Sequence, residues 1–214
     1  MSRAPATPSR TALVTGAGRG VGREIALGLA HHGLAVGLLG RRADTLDEVA
    51  EQVRAEGVDV AVATADVRDA DEVTAAVGSL SSALGPVDLL VNIAGRMDAV
   101  ETGFADAPLD DVLAVVDVNL LGVMRVTHAV LPAMRAAGRG RIINANSGFA
   151  FRRADVNTGY GISKAALARF TDLLAHQVDG DGIAVLDVSP GLVRTDMTRD
   201  MPMWTAMDEV PWGD

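Results

Sequence analysis

Residues 11–33 read TALVTGAGRGVGREIALGLAHHG. The aliphatic run TALVT passes without a break into a turn with glycine at 16, 18, 20 and 22, and then into REIALGLAHH, whose apolar residues recur at helical spacing up to Gly33. A strand, a glycine turn and a helix N-terminus in that order make an anion site. The first N–H groups of the helix have no partner within it, the helix dipole adds partial positive charge, and glycine lets a pyrophosphate approach the backbone. The alternative is a tight loop with no ligand. A P-loop does not fit, because no lysine followed by Ser or Thr closes the glycine run.

The same alternation continues outward from this stretch. LAVGLL (34–39), VAVAT (60–64), VDLLVN (87–92), RIINAN (141–146) and IAVLDV (183–188) read as five further strands, and the segments near 20–32, 44–56, 69–84, 109–137 and 158–179 read as helices. Gly33, Gly57, Gly85, Gly138 and Gly180 stand where these helices should stop. Strands that are apolar throughout, without alternation, are expected where helices cover both faces of a sheet. The expected architecture is α/β: a Rossmann-like doubly wound parallel sheet in three α/β/α layers, with six strands visible, forming one dinucleotide-binding catalytic domain over residues 11–214. Residues 1–10 read as a disordered tail. Residues 195–212, with Met197, Met201, Met203, Trp204 and Met207, read as a substrate loop, either packed on the core or closing as a lid over apolar substrates.

Composition narrows the function. The chain has no cysteine and four scattered histidines, two of them adjacent at His31 and His32, so thiolate chemistry is excluded and no metal is expected. A net charge of −9 disfavours nucleic acid and anionic membranes as partners. No apolar run reaches the length of a membrane span, and MSRAPATPSR lacks the apolar centre of a signal peptide, so a cytoplasmic protein is expected.

GYGISKAAL (159–167) holds the single tyrosine of the chain, Tyr160, and its single lysine, Lys164, although the basic residues number 19. Four residues apart on a helix, the two side chains share a face. On the residues alone this is either a core tyrosine with a lysine at its edge or a proton-transfer pair.

The motifs together resemble the short-chain dehydrogenase/reductase family over about residues 11–200. The glycine turn has its T-G-x-x-x-G-x-G spacing at Thr15, Gly16, Gly20 and Gly22, and YGISK matches its Y-x-x-x-K. Asp66-Val67 and NIAG (92–95) are similar to its adenine and cofactor-floor motifs, with Ile93 where the family has a second asparagine. Asn119 lies in VNLLG, Ser147 stands thirteen residues before Tyr160, and SPGLVRT (189–195) resembles the Pro-Gly segment beside the nicotinamide. The resemblance implies hydride transfer between a nicotinamide dinucleotide and a small-molecule alcohol or ketone. Tyr160 would move the proton, and Lys164 would lower the tyrosine pKa and bind ribose hydroxyls. Ser147 would hold the substrate oxygen, and Asn119 would hold a water linking Lys164 to solvent. It further implies a cofactor seat built from Gly16, Arg19, Gly20, Val21 and Gly22, from Asp66 and Val67, from Asn92, Ala94 and Gly95, and from Pro190, Gly191, Val193 and Thr195, with Tyr160 and Lys164. In the family, the segments corresponding to 109–137 and 158–179 pair across a two-fold axis. Nothing after residue 195 reads as the family's seventh strand, which would leave IAVLDV as an exposed apolar edge. A homodimer or homotetramer is expected on both grounds.

Cofactor choice is legible at the end of the second strand. NAD enzymes of this architecture usually place an Asp or Glu there to bind the ribose hydroxyls. Here Gly40 is followed by Arg41 and Arg42. Arg41 with Arg19 would grip a 2′-phosphate, so NADP is expected, unless the arginines are only solvated charges. The leading expectation is an NADP-dependent oxidoreductase acting on an alcohol or ketone. Two alternatives remain: a 3-oxoacyl-(acyl-carrier-protein) reductase, with Arg152 and Arg153 as a local docking patch on an acidic chain, and a non-catalytic dinucleotide-binding protein.

Overall fold

The computed structural model describes residues 11–195 and Thr198. The expected tail at 1–10 and all of the expected substrate loop except Thr195 and Thr198 lie outside the described residues. Six strands, β1 (Thr11–Thr15), β2 (Ala35–Gly40), β3 (Val60–Thr64), β4 (Leu89–Asn92), β5 (Gly140–Ala145) and β6 (Ile183–Val188), form one sheet. Every strand pair is parallel and the order is β3-β2-β1-β4-β5-β6, a Rossmann-like α/β fold. The chain works outward from β1 to β3, returns to β4 and works outward again. The reversal between β1 and β4 opens a crevice beyond the strands' C-terminal ends, where ligands of such sheets bind.

The helices are α1 (Gly20–His31), α2 (Ala43–Ala55), α3 (Ala70–Leu84), α4 (Leu109–Val116), α5 (Val123–Ala137) and α6 (Thr158–Gln177). Alternate strand residues face opposite sides, and each side is filled. Val14, Leu38 and Val91 pack with Ala26 of α1 and with Leu46 and Val49 of α2, whereas Leu13, Leu90 and Ile142 pack with Val77 of α3, Val130 and Met134 of α5 and Leu174 of α6. Burying such side chains on both faces contributes about 1.5–3 kcal/mol each relative to exposure.

Four of the five expected stop signals hold: Gly33, Gly57, Gly85 and Gly138 have positive φ. Gly180 does not serve, because α6 already ends at Gln177 and the left-handed residue of that turn is Gly182. The strands are also not uniformly buried. β6 is exposed at Leu186, Asp187 and Val188, since among the described residues it pairs on one side only. The expected helix at 109–137 is continuous but interrupted in its hydrogen bonding. Asp117–Gly122 winds as a π-helix between α4 and α5, a local widening often found at functional sites. By length and hydropathy Leu109–Ala137 is apolar enough to cross a membrane, which reading the strand-sized runs separately did not reveal. Val126, Val130 and Met134 are nevertheless buried on the sheet, and Asp117 pairs with Arg125 mid-helix, as in a core helix.

Candidate active site

The glycine turn is shaped by backbone contact. Gly16 (φ +66°) lies so close to the β4 loop that a Cβ there would come within 2.9 Å of the Ala94 backbone. A Cβ on Gly22 would collide with the Gly16 carbonyl oxygen, so α1 can start against the turn only without one. Unlike α3, whose first N–H groups are capped by Asp69, α1 has no side-chain cap and no acidic residue in its first turn. Its positive end is left for an external anion. Thr15 Oγ1 accepts the N–H groups of Ile93 (3.0 Å) and Ala94 (3.1 Å), tying the turn to the NIAG floor, while Asn92 is buried beneath it. Gly95 packs on Asn119 Oδ1. Segment 190–195 comes back over the turn, with Gly191 at φ +76° and the Thr195 side chain 3.5 Å from the position of a Gly20 Cβ. An open cleft of about 500 Å³ lies between Gly20 and Val21 on one side and Val193 and Thr195 on the other.

Farther along the crevice, Asp66 is held by Arg68 (2.6 Å), whose hydrogen bonds keep its carboxyl below the usual carboxylate range, with the charge of Arg41 adding to the effect. Val67 lies in the loop between β3 and α3. Its side chain is core, packed on Gly122, and its carbonyl oxygen accepts from Arg125, so only its backbone is available near the crevice. Arg42 is committed to Asp44 (2.7 Å), whereas exposed Arg41 makes no hydrogen bond or ion pair among the described residues. Arg19 is the exposed N-cap residue of α1. The uncapped helix end, the close-packed glycines and the returning Pro-Gly segment together fit a dinucleotide.

The four candidate catalytic residues come from three elements. Ser147 follows β5 at the start of a short 3-10 turn, where its Oγ accepts the Phe149 N–H (3.3 Å) and its hydroxyl acts to lower the Tyr160 pKa. Tyr160 lies in the first turn of α6, with its ring edge-on to Phe149 at 5.6 Å. Lys164 Nζ sits 5.5 Å from the tyrosine ring centroid and donates to the Ala145 carbonyl oxygen at 2.6 Å. Burial pushes the Lys164 ammonium down to about 8, partly offset by the negative charge of Asp187. The expectation that Lys164 lowers the tyrosine pKa is not met without cofactor: burial raises the Tyr160 hydroxyl above its ordinary value, against an opposing hydrogen bond from Ser147. Desolvation of the phenolate outweighs an ammonium that is turned toward a carbonyl oxygen.

Asn119, fully buried in the π-helical stretch, neither caps nor kinks. Its Oδ1 accepts the Arg96 N–H (2.8 Å), and its Nδ2 donates to the Arg96 carbonyl oxygen (2.9 Å) and to Ser163 Oγ (3.0 Å). It thus clamps the loop after the NIAG floor to α6. Asp98 was missed. Its carboxylate accepts the N–H groups of Gly159 (3.0 Å) and Tyr160 (2.8 Å), capping α6 from a loop sixty residues upstream, in place of the left-handed Asn157, which offers no side-chain cap. An acid in a loop carries no sequence signal of that contact. Gly159 hints at it, because a Cβ there would come within 2.9 Å of Asp98.

Comparison with known proteins gives a consistent result. The sequence model of the short chain dehydrogenase family matches residues 10–206. A 3-oxoacyl-(acyl-carrier-protein) reductase of Pseudomonas aeruginosa is 37% identical over 90% of this chain and 77% of its own length. An actinorhodin polyketide ketoreductase variant solved with NADPH superposes with a TM-score of 0.87 at 36% identity, over 97% of this chain and 80% of that one. An NAD+-bound xylitol dehydrogenase gives 0.82 at 33% identity, over 85% and 70%.

Proposed function

The chain belongs to the short-chain dehydrogenase family, which uses a nicotinamide dinucleotide to interconvert alcohols and carbonyls, and from that premise we propose that it is an NADP-dependent oxidoreductase acting between a small ketone and its alcohol. The observation that carries this reading is the meeting of Ser147, Tyr160 and Lys164 where β5 ends and α6 begins. The nicotinamide, when bound, supplies or accepts the hydride. Tyr160 gives its hydroxyl proton to the carbonyl oxygen, and Ser147 donates a hydrogen bond to the same oxygen. A buried phenol whose pKa is raised is fully protonated at pH 7, which suits the direction of reduction. For oxidation, ammonium and cofactor charge must first bring it down. Lys164 holds the proton-transfer face positive, and Asn119 and Asp98 hold α6 in place.

Preference for NADP rests on Arg41, the exposed guanidinium that follows β2 where a carboxylate would repel a 2′-phosphate. One charge-assisted hydrogen bond is worth about 1.5–3 kcal/mol, so NADPH is expected to exceed NADH at least tenfold in kcat/KM. Arg41→Asp should abolish or invert that ratio and spare NADH turnover. A wild type that prefers NADH, or an unchanged ratio in the variant, would overturn the assignment.

A second reading, reduction of a 3-oxoacyl thioester, is favoured by the loop between Ser147 and Tyr160. Phe151, Arg152 and Arg153 are exposed there, and Arg152 stacks 4.6 Å over Phe149, which touches Tyr160. Assaying NADPH oxidation with simple ketones and with an acyl-carrier thioester separates the two, and turnover of neither would return the chain to a binding role. We also propose a homodimer or homotetramer, because Leu109, Leu113, Leu121 and Met124 on the α4–α5 segment and Ile162 and Leu173 on α6 are exposed. Light scattering that finds a stable monomer would contradict it.

A further inference from the structure

Four polar residues from four strands stand in one row at the C-terminal edge of the sheet: Thr15 opposite Asn92, Asn92 opposite Asn144, and Asn144 opposite Asp187. Their hydrogen bonds run in one direction. Asn92 Nδ2 donates to Asn144 Oδ1 (2.9 Å), Asn144 Nδ2 donates to Thr171 Oγ1 (2.9 Å), and the Thr171 hydroxyl has two acceptors in reach, Asp187 Oδ1 at the shorter distance (2.7 Å) and the Leu167 carbonyl oxygen (3.0 Å). A second, shorter relay arrives from the other side. The Ser147 N–H donates to Asn146 Oδ1 (2.8 Å), and Asn146 Nδ2 donates to Asp187 Oδ2 (2.7 Å). Asn92, Asn144, Asn146 and Thr171 are all buried, and only the anionic end lies at an exposed position. That arrangement spares the carboxylate the cost of full desolvation. At the head of the long relay, Asn92 Oδ1 is buried without a hydrogen-bond partner.

A carboxylate accepts only and has two oxygens, so Asp187 can terminate both relays at once, which the Leu167 carbonyl oxygen on the long relay cannot. The relays join the backbone of Ser147 to the middle of α6, the helix that carries Tyr160 and Lys164. We propose that Asp187 is a positioning residue for the reaction, the common anionic anchor that holds Ser147 and α6 in the relative placement proton transfer needs. This rests on the reading of the site as a carbonyl reductase. The same charge acts on Lys164: among the described residues, the ionisable groups facing that ammonium are Tyr160 on its own helix and Asp187 from β6, while β5 offers it the Ala145 carbonyl oxygen.

The test is Asp187→Asn, whose amide accepts one relay and opposes the other, with Asp187→Glu as the conservative variant. At saturating NADPH and ketone, kcat should fall at least tenfold in Asp187→Asn, with the NADPH Kd within about twofold and the unfolding midpoint little changed. Asp187→Glu should recover part of the loss. Because Lys164 is the single lysine, protein labelled with 15N-lysine gives one side-chain signal. It should titrate near the value of about 8 in the wild type and at lower pH in Asp187→Asn, since removing a negative charge disfavours the ammonium. Wild-type kcat in the variant, or an activity loss matched by loss of folded protein, would overturn the proposal, as would an unshifted lysine titration. If the wild type reduces no carbonyl at all, the functional reading fails, and the lysine titration still decides whether Asp187 governs Lys164.

Discussion

Tyr160→Phe should lower turnover about 10²–10⁴-fold, the range expected for loss of a positioned general acid, while NADPH binding stays close to wild type. The substitution removes one oxygen and little else. The ring keeps its edge-on contact with Phe149 at 5.6 Å and its place below the Lys164 ammonium at 5.5 Å, so α6 has no reason to move. What disappears is the proton donor. Paired measurements of kcat and NADPH Kd check this: equal losses in both would point to a binding role for Tyr160, and retained turnover would end the proposed mechanism.

Lys164→Arg should cost nearly as much, although the formal charge is kept. Lys164 is 6% exposed, and its compact ammonium fits against the Ala145 carbonyl oxygen at 2.6 Å. A planar guanidinium is wider and cannot occupy that space without displacing β5 or Tyr160. A loss of about 10²-fold or more in kcat/KM is expected, together with weaker NADPH binding. The pH dependence supplies an independent reading. The buried ammonium loses its proton near pH 8, below the ordinary lysine value, so the charged form that assists Tyr160 prevails below that pH and vanishes above it. The wild-type kcat/KM for reduction should therefore fall as pH rises through about 8. The residual activity of Lys164→Arg should lack that limb, because arginine does not titrate there. A wild-type profile flat to pH 10 would mean that the Lys164 charge is not used.

Much of the site can be read from the chain because its parts obey local rules. The glycine spacing of residues 16–22 reports a backbone that must approach something closely, and the four-residue step from Tyr160 to Lys164 reports a shared helix face. Where local rules were applied too literally they failed in identifiable ways. Gly180 looked like a helix stop, but the helix had already ended and the turn needed its left-handed residue at Gly182. Lys164 by itself does not bring the tyrosine pKa down, because burial of the hydroxyl weighs more.

Strand and helix periods and the left-handed freedom of glycine were enough to indicate a parallel α/β sheet, a close-packed glycine turn at a helix N-terminus and a tyrosine and lysine sharing one helix face. These depend on neighbours within a few residues, where chain geometry leaves little choice. The tertiary structure alone decided that Asp98 caps α6, that Asn119 clamps Arg96 to Ser163, and that Asp187, embedded in an apolar run, ends a row of polar side chains gathered from four strands. A hydrogen bond forms with whatever partner the folded chain brings within about 3 Å, and parallel strand register brings together residues that sequence separation keeps tens of positions apart.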